Sequence, residues 1–313
     1  MANIRSIRNK SYGTIKTILS KLNGLNLRKY YFESGMIFLN VMLRSSILYG
    51  SETYYDLKEG ELRTLERIEE SFMRQLLNTA KGCPIVQMYL ELGHIPARFG
   101  IMKTRMFFLK TILDQDNSSL IKKFFNLQYE QPTKSDWVST CIQNLKEMNI
   151  NITFIEIKKM KENEYRNLIR KKCIELGFNY LMNNRGSKGK EIEYDKIRMA
   201  QYLQPNNQLE VKEQMKIFEI RNRMTNIPNN FSRKNDVKCL CGQPENMEHV
   251  YNCKFLNSEE GNVKFEKIYE ENVDDLKTIL KRFEQNMNNR DKQYHVIQKC
   301  DTAVSVVYVS GNG

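Results

Sequence analysis

Four residues of the types that bind metal ions lie within one short stretch of the sequence, and this stretch constrains the fold more than any other feature. They are Cys239, Cys241, His249 and Cys253. Zn²⁺ takes four such ligands in a tetrahedron, and a Cys₃His set leaves no position open for a catalytic water. We therefore expect one structural zinc ion as the cofactor. The alternatives are four unrelated residues, or reduced cysteines in a small core.

The spacing of these four residues fits a zinc site. Cys239 and Cys241 are two residues apart, so in an extended segment both thiolates leave the same side of the chain. Gly242 can then adopt the positive φ that folds the chain back. His249 and Cys253 are four residues apart, which places them on one face of a helical turn. The stretch therefore predicts a small zinc knuckle of the CCHC type.

The charge balance of the chain indicates an anionic partner. Its 313 residues include 49 Lys and Arg against 37 Asp and Glu, which gives a net charge of +12 at pH 7. Such an excess is typical of proteins that bind nucleic acid or an anionic membrane surface. Much of it lies in the N-terminal and middle segments, because residues 1 to 30 carry several bases and no acid.

Two further features bear on where the protein works. An odd number of cysteines, seven, and an N-terminus without an apolar signal segment predict an intracellular protein of the nucleus or cytoplasm. The longest apolar run, from Met36 to Tyr49, is interrupted by Asn40 and Arg44 and is shorter than the ~20 residues of a membrane span. We therefore expect no membrane partner.

Apolar residues recur at helical spacing along most of the chain, which predicts an all-α fold. Gly50 is expected to end the second helix and Pro96 to begin another, because glycine suits helix ends and proline the first turn. Either Ser135 or Asp136 can cap a later helix. The predicted helices are two within residues 14–49, then Leu62–Leu77, Pro96–Leu113, Ser135–Met148, Ile155–Met182, Leu209–Met224 and Val263–Gln285.

Two blocks of sequence resemble one protein family. The pattern C-x-C-G-x-x-E-x-x-x-H-x-x-x-C, preceded by I-F-E-I-R-N-R-M-T-N-I-P-N-N-F from Ile217 to Phe231, resembles the zinc-binding segment of non-LTR retrotransposon reverse transcriptases. The runs Leu48–Tyr54, Leu62–Leu77 and Pro84–Leu109 resemble the thumb and post-thumb helices of the same polymerases. Family members more often place two residues between the first cysteines and four before the last. Together the blocks span most of residues 28 to 255.

The resemblance implies a division of the chain and a role for each part. In the intact enzyme the thumb would grip the template-primer backbone, and the knuckle region would engage element RNA or target DNA. The partner is then RNA or DNA. The expected parts are a thumb-like helical bundle (1–113), a basic helical connector (114–208), a feeder helix with the zinc knuckle (209–255), and a C-terminal helix with a loose tail (256–313).

Catalytic residues of a polymerase are not expected in this chain. Reverse transcription needs palm carboxylates that hold two metal ions, whereas Asp274 and Asp275 open an amphipathic helix, where acids favour the helix dipole. His94 and His295 are expected as ordinary surface or packing residues. We therefore expect no enzymatic activity from the chain alone and no small-molecule substrate. The competing class is a domesticated or relic zinc-containing helical protein that acts through protein–protein contacts.

Basic and aromatic residues near the knuckle, and bases on two helices, are the candidates for nucleic-acid contacts. Bases bind phosphates, and an aromatic ring can stack on an unpaired base. For any one base the alternative is a solvated surface charge. The candidates are Arg221, Arg223, Phe231, Arg233, Lys234, Lys238 and Tyr251 around the knuckle, with Lys103, Lys110, Lys158, Lys159, Arg170, Lys171 and Lys172 on the helices.

Overall fold

The computed structural model of the chain describes residues 4–24, 28–79, 82–133, 135–186, 191–225, 238–239, 241–256 and 263–309, with the side chains of 5, 28 and 293–309 left aside. Within these ranges the protein is all-α, as the sequence predicts. No sheet forms in this part of the chain, where extended pairing is limited to isolated bridges. The chain divides into an N-terminal unit (Met1–Ser187 with Tyr194–Asn206) and a C-terminal unit (Lys188–Glu193 with Asn207–Gly313).

The N-terminal unit is built from helices that follow one another through short connections. Gly50 ends the second stretch of helix with φ +70°, and Pro96 precedes the helix that begins after it, in agreement with the sequence. Pro84 likewise precedes a helix. A π-helical turn (Leu39–Leu43) joins α2 to α3. The helices are α1 (Ile4–Gly24), α2 (Tyr31–Phe38), α3 (Arg44–Leu48), α4 (Glu59–Leu76), α5 (Ile85–Glu91), α6 (Ala97–Asp114), α7 (Leu120–Glu130), α8 (Trp137–Glu147), α9 (Phe154–Lys159) and α10 (Glu162–Asn183).

The long basic helix expected from Ile155 to Met182 is divided in the structure. Met160 and Lys161 have extended backbones, so α9 ends before them and α10 begins after them. Thr153 and Glu156 form a capping box that starts α9. The apolar period continues across two extended residues, and for this reason the sequence pattern does not reveal the break. Asp136, one of the two predicted caps, accepts the backbone N–H of Ser139 and begins α8.

Helix α6 lies at the centre of the N-terminal unit and packs against α3, α4, α7, α8, α9 and α10. The apolar core formed by α6 to α10 is close to fully buried, and the Tyr165 hydroxyl donates to the Met106 carbonyl within it at 3.1 Å. Cys141 and Cys173 are free and buried there, and burial raises the pKa of Cys173 to about 12. Core members include Met106, Leu109, Val138, Cys141, Ile157, Tyr165, Ile169 and Cys173.

A buried group of charges crosses the N-terminal unit beside this core. The carboxylate of Glu69 lies 3.4 Å from Arg44 Nε and 3.6 Å from His94 Nε2, and it accepts the Tyr89 hydroxyl at 3.3 Å. Burial alone would raise the pKa of Glu69, but the Arg44 charge and the hydrogen bonds with His94 and Tyr89 together outweigh it and lower that pKa. His94 is therefore a packing residue, one of the two roles expected for it.

The C-terminal unit contains three described helices, α11 (Val211–Arg221), α12 (Met247–Asn252) and α13 (Val273–Val309). The feeder helix α11 is shorter than Leu209–Met224, because Arg223 takes φ +54° just after it. Residues Phe265–Tyr269 form a 3₁₀ turn, so α13 begins ten residues after the predicted start.

The end regions of α13 bear on two sequence expectations. Asp274 and Asp275 lie in its first turn, as predicted, while the Asn272 side chain accepts both of their N–H groups. The tail expected from Ser310 to Gly313 lies outside the described residues. Along the described part of the chain, no helix is both long enough and apolar enough to cross a bilayer.

Candidate metal centre

A tight turn brings the first two cysteines together. Cys239 N–H donates to the Gln243 carbonyl at 2.8 Å, and Gly242 N–H donates back to the Cys239 carbonyl at 2.7 Å. Gly242 has φ +88°, a conformation that side chains disfavour and glycine adopts freely. The prediction that this glycine folds the chain back is confirmed. An isolated bridge between Lys238 and Pro244 closes the base of the turn.

Helix α12 supplies the other two candidate ligands. The Asn246 side chain accepts the His249 N–H at 2.7 Å and caps the helix at its start. His249 lies in the first turn, and Cys253 follows the last residue of the helix. The predicted placement of His249 and Cys253 on one helical turn is therefore confirmed.

The four side chains converge on one point. Their ligand atoms all lie within 4.8 Å of one another. Cys239 Sγ is 3.9 Å from Cys253 Sγ, and Cys241 Sγ is 3.2 Å from His249 Nε2. Two sulfurs placed tetrahedrally at about 2.3 Å from zinc would be about 3.8 Å apart. The cluster of Cys239, Cys241, His249 and Cys253 could thus hold a metal ion.

The two cysteines of the turn have different surroundings. Burial raises the pKa of the Cys239 thiol to about 12. At the exposed Cys241 burial is the largest single influence and acts to raise the pKa, but hydrogen bonds from the Gln243 backbone, Cys239 and Cys253 together outweigh it and lower the pKa of this thiol. Only thiolates bind a metal ion, so a cation in the cluster would take the place of the proton on Cys239.

Helix α13 carries a row of side chains that bind the backbone of the cluster. Asn286, which is fully buried, donates to the carbonyls of Val250 and Tyr251 at 2.8 and 3.0 Å. Arg282 Nε also donates to the Tyr251 carbonyl, at 3.0 Å. These carbonyls belong to the last turn of α12, where they have no partner within the helix. Asn289 binds the Leu256 carbonyl at 2.9 Å.

A buried ion pair extends this row by one more residue. Arg290 Nε contacts the carboxylate of Glu245, which lies between the turn and α12 and is 1% exposed. This row was not predicted from the sequence. Its signal is the recurrence of Arg282, Asn286, Asn289 and Arg290 at helical spacing on a helix whose other face is apolar.

Three of the predicted nucleic-acid contacts are wrong, because their side chains are buried and bonded inside the protein. Arg221 is fully buried and donates to the carbonyls of Ile268 and Glu270 at 2.6 and 2.8 Å. Tyr251 is buried, and its hydroxyl donates to the Val263 carbonyl at 2.7 Å.

Lys110 is the third of these. It is 3% exposed, and its ammonium binds the carboxylate of Asp114 at 2.8 Å and the carbonyl of Lys158 at 3.0 Å. Its stem lies within the helical core around α6. The sequence pattern placed Lys110 among the accessible bases of its helix, whereas the packing of α9 against α6 covers it.

The other candidates differ in exposure. Arg223 is half-buried and pairs with Glu191 at 2.7 Å, and Lys172 is half-buried and pairs with Glu175 at 3.0 Å. Lys103 is half-buried. Phe231, Arg233 and Lys234 lie outside the described residues. The exposed candidates are Lys158, Lys159, Arg170, Lys171 and Lys238.

Comparison of the chain with models of protein families, with curated proteins and with solved structures found no match. Any function therefore has to be inferred from the side chains of this chain. The Cys₃His cluster and the exposed bases of the helices are two features of the described residues from which a function can be inferred.

Proposed function

We propose that Cys239, Cys241, His249 and Cys253 bind one structural zinc ion, and that the chain is a nucleic-acid-binding C-terminal part of a non-LTR retrotransposon reverse transcriptase. The convergence of four ligand atoms within 4.8 Å supports the proposal most directly. Three thiolates and one imidazole suit zinc better than calcium or magnesium, which prefer oxygen ligands. With all four positions taken by protein, the ion serves the fold rather than catalysis.

The charge of the chain supports the nucleic-acid part of the proposal. An excess of +12 creates a field that attracts polyanions, and the phosphate backbone is the commonest such partner of an intracellular protein. Exposed Lys158 and Lys159 on α9, with Lys171 on α10, offer this charge to solvent. The likeness of the knuckle and thumb segments to the retrotransposon polymerases adds the expectation of RNA or target DNA as the partner. The chain alone is then without polymerase activity.

The salt dependence of binding tests this proposal. The affinity of the full chain for fluorescein-labelled RNA and DNA oligonucleotides is measured over a series of salt concentrations. Each phosphate that the protein neutralises contributes about 0.7 to 0.9 to the slope of log affinity against log salt. Lys158→Gln with Lys159→Gln should flatten the slope by up to about 1.8, or about 0.9 for each contact.

A charge-matched pair in the C-terminal unit is the control for that experiment. Lys212 and Lys281 are exposed and are not candidate contacts, so Lys212→Gln with Lys281→Gln removes the same charge elsewhere. The control pair should leave the slope close to that of the wild type. An affinity that does not depend on salt, or no binding at all, contradicts the nucleic-acid proposal.

One observation favours the competing class, a protein that acts through protein contacts. Leu120, Phe124 and Leu127 are 70%, 58% and 51% exposed, and their spacing places them on one face of α7, opposite the buried Phe125. Exposed apolar stripes of this kind often mark protein-binding surfaces. If this class is correct, the wild-type protein associates with a protein partner even at high salt and binds no nucleic acid. Phe124→Ser then abolishes the association with that partner.

A further inference from the structure

Between α6 and α10 the N-terminal unit holds a half-buried lysine without a counter-charge. The ammonium of Lys103 makes no ion pair or hydrogen bond with any residue in the described part of the chain. Burial lowers the pKa of Lys103, and the nearby charges of Arg44 and Arg170 lower it further. Charged groups that lose solvent normally gain a partner of opposite sign. The charged groups that act on Lys103 are instead the cations Arg44 and Arg170.

Phe107, one helical turn after Lys103 on α6, holds two guanidinium groups of α10 beside it. The guanidinium carbons of Arg166 and Arg170 lie 4.7 and 5.5 Å from the centre of the Phe107 ring. Stacking on an aromatic face fixes the plane of a guanidinium and leaves its N–H edges free to bind other groups. The two arginines are four residues apart, so α10 presents them on one side.

The cluster formed by Arg44, Lys103, Arg166 and Arg170 contains bases that a carboxylate balances and bases that none balances. Arg166 forms an ion pair with Glu162, and Arg44 lies 3.4 Å from the buried carboxylate of Glu69. Arg170 binds the neutral side-chain oxygen of Asn167 at 3.0 Å. Within the described residues, Lys103 and Arg170 are therefore the two cations of the cluster that no carboxylate balances.

We propose that Lys103 and Arg170 together bind one phosphate of a polynucleotide backbone, with Phe107 holding Arg170 in position. An ammonium acts on a phosphate as a compact point charge, and a guanidinium adds directed N–H donors, so the pair offers both kinds of contact to a single group. The phosphate supplies the counter-charge that Lys103 lacks. This site deepens the proposed function and rests on it, because it assigns the contact to specific residues of the N-terminal unit.

Salt-dependent binding of a labelled single-stranded oligonucleotide tests the site with Lys103→Met, Arg170→Gln and the double variant. Because both residues bind the same phosphate, each single variant should flatten the slope of log affinity against log salt by about 0.7. The double variant should flatten it by no more than a single one. Lys146→Gln removes the same charge from an exposed residue of α8 that is not a candidate contact, and it should leave the slope unchanged.

The melting temperature distinguishes a binding role of Lys103 from a purely structural role. Lys103→Met removes a partly desolvated cation that lies beside other cations, so its melting temperature should be equal to or above that of the wild type, while its affinity falls. Inorganic phosphate, added at matched ionic strength, should compete no better than chloride if the ligand is a polynucleotide.

Several results would overturn the site. Wild-type slope and affinity in the double variant would overturn it while leaving the proposed function intact. Equal losses in Lys146→Gln and Arg170→Gln would show that net charge alone acts. Competition by inorganic phosphate that depends on Lys103 would assign the site to a small anion. A wild-type protein that binds no oligonucleotide would reject the proposed function as well, so the two failures can be told apart.

Discussion

Different interactions stabilise the interior of the N-terminal unit and the interior of the C-terminal unit. In the N-terminal unit, α6 and its neighbours bury long apolar side chains, and the free cysteines Cys141 and Cys173 are part of that core. In the C-terminal unit, the six-residue helix α12 and the turn before it bring together three cysteines and one histidine that could hold a metal ion. Polar side chains of α13 bind the backbone there. Small segments bury too little apolar surface to fold alone, and cross-links such as a metal site make up the difference.

Substitution of a cysteine in the cluster should produce the largest difference in stability between the two units. Cys253→Ser removes one of the four proposed zinc ligands, and metal-coupled folding of such sites is worth an apparent ~10 kcal/mol or more near pH 7. Hydrogen exchange should show loss of protection from residue 238 to 256 and unchanged protection in α4, α6 and α10. Cys173→Ala, in the other core, is the matched control and should leave zinc content unchanged. Loss of protection in both units after Cys253→Ser would mean that the comparison is wrong.

A core substitution in the N-terminal unit should instead destabilise that unit and leave zinc binding unchanged. Phe72 on α4 is fully buried, and Phe→Ala changes in such sites cost about 3 to 5 kcal/mol. Phe72→Ala should lower the unfolding free energy of this unit by that amount, as measured by denaturant titration, with zinc binding unaffected. The exposed Phe124 provides the control, because Phe124→Ala should change stability by less than about 0.5 kcal/mol. A loss of zinc in Phe72→Ala would contradict the independence of the two stabilising mechanisms.

The contribution of α13 to the cluster should be smaller but measurable. Asn286→Ala leaves the Val250 and Tyr251 carbonyls without one donor each, and buried groups left unpaired cost about 1 to 3 kcal/mol. Zinc affinity, measured by competition with a chelator, should fall correspondingly. Asn288→Ala changes an exposed residue of the same type on the same helix and should have no such effect. Equal affinities in the two variants would show that the row does not support the cluster.

The smallest effect concerns pH and the buried charges of the N-terminal unit. Burial lowers the pKa of His94 below its ordinary value of 6.5, and the Arg44 charge acts in the same direction. As the pH falls through 6.5, the unfolded chain therefore takes up the proton of this histidine before the folded protein does. The N-terminal unit should lose stability as the pH falls from 7 toward 5. His94→Gln should weaken this dependence; a steeper one in the variant would mean that the folded protein favours the imidazolium.

The sequence predicted the parts of the fold that depend on neighbouring residues. Pro96, Gly50, Asp136 and Gly242 each act within a few residues of the helix end or turn that they specify. The Cys₃His cluster belongs to the same class, because its four residues lie within one short stretch and their spacing fits the turn and the helix. Helical periodicity likewise identified most of the helices.

The sequence could not predict contacts that join distant parts of the chain. Arg221 looks like a surface base by composition, yet it is buried because two carbonyls, 47 and 49 residues away in sequence, accept its N–H groups. Lys110 is buried for the same reason, with a carbonyl of α9 as its partner. The break between α9 and α10 was missed because the apolar period continues through it. Only the packed structure identifies the partners of polar residues.

Metal analysis combined with thiol reactivity tests the central claim most directly. Cys241 is exposed, so without a bound ion its thiol should react with an alkylating agent in the native protein. We predict one zinc per purified chain and protection of Cys239, Cys241 and Cys253, with all three becoming reactive after a chelator removes the metal. The absence of zinc, together with free alkylation of Cys241 whether or not the chelator is present, would contradict the account.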